Sequence, residues 1–381
     1  MGSSSPSPTP SRRLPSCGRT WRPARAPPQR IERAMAAVTR VILDKIPVSE
    51  PVPSDFRLVG EATGSELEQG QVTVMTRMLG LNAGLRARLG TGSSTTLGPA
   101  IDIGDTPQSD GIGLVVQSRH PGLDEGDSVV GLLPWATSSN VDGARLRRLE
   151  PGADALRQLT ILGHVGLTAY AGLVTVGRLQ RGETVWISAA AGGVGCCAVQ
   201  IADRLGAEVI ASAAGAERLN FLQRELKVRH VLERTRELGP QLREAAPEGL
   251  DLYFDSVGGE HLASALDAMR DRGRIVLVGR AGRDLRRPVL DDTSLLIRKR
   301  IQMIGFSVTD HEDVRPELEA LVLRTDVDQP MVGVASLRNG IESIPEAFCD
   351  LLAGKVLGRV VVELPVARAR ETQSSQVTSS L

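Results

Sequence analysis

Ala189, Gly192 and Gly195 recur at every third position of S-A-A-A-G-G-V-G-C-C, Ser188 to Cys197. An apolar run, V-W-I, precedes this turn and a second, A-V-Q-I-A, follows it. Small residues at that spacing let a backbone come close to a pyrophosphate. The free N–H groups at the start of the following helix favour an anion there. A turn of the same composition also serves simply to pack a helix on a sheet. The context decides between the two: strand Thr184 to Ser188, turn, then a helix over Gly195 to Leu205. That order is the opening of a βαβ unit, in which a dinucleotide is the expected ligand.

The end of the second strand reads V-I-A-S-A-A-G-A-E-R, Val209 to Arg218. A site for NAD would carry an acid there to bind the ribose 2′-hydroxyl. Small neutral residues, Ser212 among them, stand in its place, followed by Arg218 and, further on, Arg234. A guanidinium suits a 2′-phosphate, so NADP(H) is the expected cofactor, although either arginine alone is also compatible with a solvated surface.

Metal chemistry finds no ligands. The cysteines are Cys17, Cys196, Cys197 and Cys349, the histidines His120, His164, His230, His261 and His311, and no C-x-x-C or H-E-x-x-H spacing occurs. Cys196 and Cys197 should be buried structural thiols on the helix after the turn.

The elements around the turn must position it. A chain of 381 residues with 41% hydrophobic content suffices for two cores. Lys plus Arg equals Asp plus Glu at 45 each, so no net field draws nucleic acid or an anionic membrane, and the expected partner is a small molecule. No run of apolar residues is long enough to span a bilayer, and a soluble cytoplasmic protein is expected. From Val38 to Leu149 short apolar runs alternate with turn residues: R-V-I-L-D, Q-V-T-V-M-T-R, G-I-G-L-V-V-Q-S and G-D-S-V-V-G-L. They read as antiparallel β structure. Beyond Leu156, strands at Thr184 to Ser188, Glu208 to Ser212, Leu250 to Asp255 and Arg274 to Val278 alternate with helices, one of them over Glu217 to Leu226. This rhythm predicts a doubly wound parallel sheet. Val356 to Leu364 turns β again and is expected to return to the first domain. Residues 1–34, rich in Pro, Ser and Arg, are expected to form a disordered extension: their dense prolines do not suit the amphipathic helix of a transit peptide. Met35 then reads as the working start. Ala367 to Leu381 reads as a flexible tail.

Three stretches together carry a family resemblance: G-L-T-A-Y at Gly166 to Tyr170, the glycine turn, and L-D-L-Y-F-D-S-V-G-G at Leu250 to Gly259. With weaker echoes at Leu79 to Leu89, Val141 to Leu149 and Ile344 to Arg359, the chain resembles the zinc-independent medium-chain dehydrogenase/reductases. Within them it is most similar to the NADPH-dependent alkenal and alkenone double-bond reductases that include prostaglandin reductases. The resemblance implies a GroES-like antiparallel β domain (38–158 with 331–366) and an inserted Rossmann domain (159–330), α/β overall, with the extension at 1–37 and the tail at 367–381. It also implies a homodimer paired through the Rossmann sheet near Ile301 to Phe306.

By the same resemblance the cofactor is held by Thr168, Ala191, Gly192, Gly193, Val194, Gly195, Ser212, Arg218, Arg234, Ser256, Val257, Gly279 and Val356, with no metal. Ser256 and Val356 stand where the family has asparagines. Asn82, Ala83 and Gly84 replace its substrate-side aromatic segment, and Arg280 to Asp284 replaces another. The implied reaction is reduction of an enal or enone by hydride transfer. A quinone reductase, or a cofactor-binding homologue without reductase activity, stays open beside it. With only two tyrosines in the chain, the candidates for touching substrate are Tyr253, Tyr170 and Arg280, with Arg283 as a further anion clamp. Each is also compatible with a structural or solvated role.

Overall fold

The computed structural model describes residues 38–61, 66–90, 98–234, 238–279, 293–324 and 330–364. The extension and tail expected at the two ends, Cys17, Arg280 and Arg283 lie outside the described residues. In chain order β1 (Val38–Leu43), β2 (Phe56–Glu61), β3 (Gln71–Gly80), β4 (Gln108–Ser118), β5 (Ser128–Pro134), β6 (Ser138–Asp142) and β7 (Leu146–Arg148) come first. After α1 (Ala155–Leu159) and α2 (His164–Tyr170), strands alternate with helices. These are β8 (Thr184–Ile187), α3 (Gly193–Arg204), β9 (Glu208–Ala213), α4 (Ala216–Arg224), β10 (His230–Glu233), α5 (Leu238–Ala245), β11 (Leu250–Asp255), α6 (Glu260–Ala268), β12 (Met269–Leu277), α7 (Ser294–Lys299), β13 (Gln302–Gly305) and α8 (Arg315–Val322). Finally come β14 (Ala335–Asn339), α9 (Ile344–Leu352) and β15 (Arg359–Glu363).

β8 to β13 form one parallel sheet in the order β10-β9-β8-β11-β12-β13. Its order reverses between β8 and β11, and ligands of such sheets bind beyond the carboxyl ends of the strands at that point. The second sheet runs β14-β15-β3-β4-β5-β7, with β6 against β3, and is antiparallel except for the pair β14–β15. The last strand thus joins a sheet built from the first third of the chain. Its core is closed by Phe56, Trp135 and Phe348, whose rings meet at 5.5 to 5.9 Å.

The parallel strands are covered on both faces, as such strands must be. Val185 and Ile187 pack under α2 and α3, while Trp186, pointing the other way, packs under α5 and α6. Arg274 anchors the opposite, amino-terminal edge: it donates to Gly177 O at 2.8 Å and pairs with Glu183. Two boundaries differ from the sequence expectation. α3 starts at Gly193, two residues early, because the glycines themselves form its first turn behind Gly192 as N-cap. β12 starts at Met269, where a residue with no strand pattern pairs with Leu250 across an irregularity in register.

Trp186 is stacked between Tyr253, 4.3 Å away, and His261, 5.9 Å away. Burial, and then Arg234, lower the His261 pKa to about 4. Its unfolded value is about 6.5, so the native state keeps the neutral ring, and the stability this gives is complete above the unfolded value and lost as pH falls towards the folded one. We expect the chain to be about 2 kcal/mol less stable at about pH 5 than at neutrality on this account alone. Urea melts of the wild type and His261→Phe check it: equal acid sensitivity in both would assign the loss to other groups.

Candidate functional site

The turn from β8 into α3 is held from three sides. Ala189 takes a left-handed φ of 49°, which costs a non-glycine residue about 1 kcal/mol and bends the chain sharply at the end of β8. Ala190 N donates to Ser212 O at 3.0 Å and Gly192 N to Ala189 O at 2.9 Å. From the other sheet Gly358 N donates to Ala191 O at 2.8 Å, and Gly192 bridges to Gly358. The turn lies in the seam between the two sheets.

Its glycines do different work. A Cβ on Gly195 would stand 2.6 Å from Ala190 Cα and 2.8 Å from Ala190 C, so this glycine lets α3 pack on the turn. A Cβ on Gly192 would meet only Ala189 O, at 3.2 Å, and one on Gly193 only Arg359, at 3.4 Å. Gly192 therefore leaves open space at the amino end of α3, where the first N–H groups of a helix lack helical acceptors. That is the cradle a pyrophosphate requires. Val194 follows in the same first turn, and Cys196 and Cys197 are buried behind it. Burial raises the Cys196 thiol well above its ordinary range and the Cys197 thiol to about 12, so both are inert as nucleophiles.

Arg218 sits in the first turn of α4, beyond the end of β9. Its Nη1 donates to Ala214 O at 2.8 Å and its Nη2 to Gly354 O, just beyond α9, which fixes the guanidinium across the seam. Two of five N–H groups are used, so the fork keeps donors for a phosphate. Arg234 lies alongside: its N–H donates to Ala213 O at 2.8 Å, and its side chain is exposed.

At the carboxyl end of β11, Asp255 Oδ1 accepts from Val257 N at 2.9 Å and Gly258 N at 2.8 Å. Burial raises the pKa of this carboxyl despite those bonds. Ser188 Oγ accepts from Ser256 N at 2.9 Å, which ties the ends of β8 and β11 together. Ser256 Oγ itself is buried without a partner. Gly279 N donates to Asp255 O at 3.2 Å, so Gly279 faces Ser256 beyond the strand ends. Thr168 lies in α2, its hydroxyl donating to His164 O at 2.7 Å.

Four residues singled out in the sequence sit elsewhere or are already engaged. Tyr253 is fully buried, stacked on Trp186, and its hydroxyl donates to Asp255 Oδ1 at 2.8 Å. It is a core residue, because alternate residues of β11 face the layer under α6. Tyr170 packs on the core beside Glu317, and burial raises its pKa. Two positions after Thr168, it faces the opposite side of α2. Ser212 Oγ accepts from Trp186 Nε1 at 3.1 Å in the same buried layer as Tyr253. The Val356 side chain packs in the core of the antiparallel sheet.

One residue in the seam escaped the sequence reading. Arg359, 2% exposed, follows Gly358 and lies against Gly193. It pairs with Asp110 of β4 and donates to Gly80 O at 2.7 Å, while its Nε and Nη1 are buried with no partner. A Cβ at position 80 would stand 2.5 Å from Arg359 Nε, so a larger residue there would displace the guanidinium. An arginine at the head of R-V-V-V-E was the available signal.

The turn with its open cradle, the Arg218 fork and the unpartnered Ser256 hydroxyl fit a dinucleotide carrying a 2′-phosphate. A catalytic zinc does not fit: among the described residues no group of three or more His, Cys, Asp or Glu could hold a metal ion.

Comparison with known proteins agrees with this architecture. Residues 39–149 match the family described as "N-terminal domain of oxidoreductase", and residues 193–323 the one described as "Zinc-binding dehydrogenase". The NADPH-dependent curcumin reductase of Escherichia coli is 30% identical over 338 residues, 85% of this chain and 96% of that protein. Prostaglandin reductase 1 of Bos taurus is 31% identical over 325 residues, covering 83% and 96% respectively. The solved structure of CurA from Vibrio vulnificus in complex with NADPH superposes with a TM-score of 0.79 at 25% identity, covering 86% of this chain and 99% of that one. The chain belongs to the medium-chain dehydrogenase/reductase family, in the group of prostaglandin, alkenal and curcumin reductases.

Proposed function

We propose that the chain reduces the carbon–carbon double bond of α,β-unsaturated aldehydes or ketones. More coarsely it is an NADP-dependent oxidoreductase, and NADP(H) is its cofactor. Bound NADPH supplies the hydride and is oxidised to NADP⁺. The observation that carries the reading is the open turn at Gly192 next to an arginine fork at Arg218, in a family whose named members reduce alkenals, curcumin and prostaglandins.

In this reading Ala191, Gly192, Gly193, Val194 and Gly195 bind the pyrophosphate through backbone N–H groups. Arg218 and Arg234 take the 2′-phosphate end, and Ser256, Val257 and Gly279 line the space beyond β11 and β12. Thr168 lies in the helix against that space. Asp255 and Ser188 bind no ligand and instead fix the loop that carries Ser256. The two sheets, joined where Gly358 N donates to Ala191 O and Arg218 to Gly354 O, exclude water from the seam between them.

The test is NADPH oxidation by the full chain with a panel of short enals and enones, with quinones in parallel. Turnover with enones supports the proposal. Turnover with quinones alone assigns a quinone reductase. Tight NADPH binding with no acceptor consumed leaves a cofactor-binding protein, the outcome to which Ser256 and Val356 in place of asparagines point. The exposed edge at β13 fits a homodimer joined through the parallel sheet, and a monomer in solution scattering would contradict it. No helix among the described residues is long and apolar enough to cross a membrane. A cytoplasmic setting suits the free Cys196, Cys197 and Cys349, and recovery of the chain in an oxidising compartment would contradict it.

A further inference from the structure

His164 opens α2, and the direction of that helix fixes where it lies. α2 continues as a π-helical stretch, Ala171–Val176, and then turns at Gly177 towards β8. Gly177 is held by Arg274 at the amino-terminal edge of the parallel sheet. The thirteen residues from His164 to Val176 span roughly 20 Å. The other end of the helix therefore stands at the carboxyl ends of the strands, beside the glycine turn, and not in the body of the domain.

The five residues after His164 are all buried, whereas the imidazole is half-buried. Neither ring nitrogen has a hydrogen-bond partner among the described residues, and neither is sealed from solvent. The charged groups acting on the ring come from several sides of the seam: Asp110 of β4, Arg359 of β15, Glu312 in the turn before α8 and Arg315 at its start. Burial is the largest influence and holds the pKa below its ordinary value, with the two acids and two arginines opposing one another. At neutral pH the ring is uncharged, with one N–H to donate and one lone pair to accept.

We propose that His164 donates a hydrogen bond to the carbonyl oxygen of the unsaturated substrate, an inference that rests on the double-bond reductase reading. The role is one the two tyrosines leave vacant: Tyr253 is sealed in the core and Tyr170 faces away. When the β-carbon takes up the hydride, the electron pair of the double bond moves towards the carbonyl and leaves an enolate with its charge largely on oxygen. The imidazole N–H meets that charge without transferring its proton, and the α-carbon then takes a proton from water, giving the saturated carbonyl compound. A neutral donor stabilises the oxyanion more than the uncharged carbonyl before it, so the bond acts on the transition state.

The experiment compares His164→Leu and His164→Gln with the wild type, the second keeping a side-chain N–H donor. NADPH affinity by cofactor fluorescence is expected to stay within about twofold in both, because neither variant touches the glycine turn or Arg218. kcat/KM for a short enone falls by about 100-fold in His164→Leu and recovers at least about tenfold of that in His164→Gln. The wild-type rate is expected to be level from about pH 7.5 to 8.5, as a donor that stays neutral requires, whereas an imidazolium donor would lose activity steadily upwards. A readout free of turnover is the binding of 4-nitrophenolate, a stable oxyanion, to the NADP⁺ complex by difference absorbance. His164→Leu is expected to weaken it about tenfold and His164→Gln much less. Equal enone rates or equal phenolate affinity in the wild type and His164→Leu would overturn the proposal. So would loss of NADPH binding in both variants, which would mean a structural role. If the wild type reduces no enone yet phenolate still discriminates the variants, the reductase reading fails while the oxyanion contact stands.

Discussion

Valine at Gly195 is expected to prevent the parallel sheet from assembling, while valine three residues earlier, at Gly192, is expected to leave the fold intact and remove cofactor binding. At Gly195 the first side-chain carbon already meets the backbone of Ala190 at 2.6 to 2.8 Å, and backbone on both sides has no rotamer with which to yield. The cost is about 4 kcal/mol or more, beyond ordinary overpacking. Gly192 has φ −83° and ψ 174°, open to any residue, and only Ala189 O lies near its missing side chain. The folding cost there is about 1 kcal/mol or less. A branched side chain in the cradle would nevertheless hold an anion away from the N–H groups of α3, and NADPH affinity should drop about 100-fold or more. Thermal melts together with fluorescence titration separate the two. A Gly192→Val protein that binds NADPH like the wild type would show that the turn serves packing alone.

Arg359→Met is expected to cost 3–5 kcal/mol, roughly what breaking a buried ion pair by removal of one partner costs. The guanidinium links β15 to Asp110 and Gly80 of β4 and β3, and the preceding Gly358 holds the glycine turn, so its loss loosens the seam as well as the second sheet. Asp110 is left facing an apolar side chain. Adding Asp110→Leu should recover part of the loss, since an apolar pair in place of a buried ion pair is often close to neutral. Urea denaturation of the two single variants and the double variant gives the coupling. A loss under about 1 kcal/mol in Arg359→Met would mean that the pair is incidental to the fold.

The parts of this architecture that are local in sequence were legible there. The βαβ opening, the glycine turn and the cation at position 218 all lie within one continuous stretch, where spacing and residue type suffice. Whether the Tyr253 hydroxyl reaches an edge is not written in the sequence, because a parallel strand is buried on both faces and its pattern is apolar throughout. That the Ser212 hydroxyl is taken by an indole on the neighbouring strand is likewise a contact no local pattern shows. Arg359 was illegible because the partner that makes it a core residue lies 249 positions away, and an arginine at a strand end ordinarily reads as solvated. His164 gave no spacing signal at all. Its place follows from the direction of the helix it begins, which only the sheet topology supplies.

The most direct test of the account is a fluorescence titration of the full chain and of Arg218→Ala with NADPH and NADH, before any substrate is offered. The wild type should bind NADPH about 100-fold tighter than NADH, and Arg218→Ala should lose about 10- to 100-fold for NADPH while leaving NADH unchanged, the worth of charge-assisted bonds to a phosphate. If neither nucleotide binds, the seam at Gly192 is not a nucleotide site and the enzymatic reading falls with it; if Arg218→Ala weakens both alike, Arg218 does not read the 2′-phosphate.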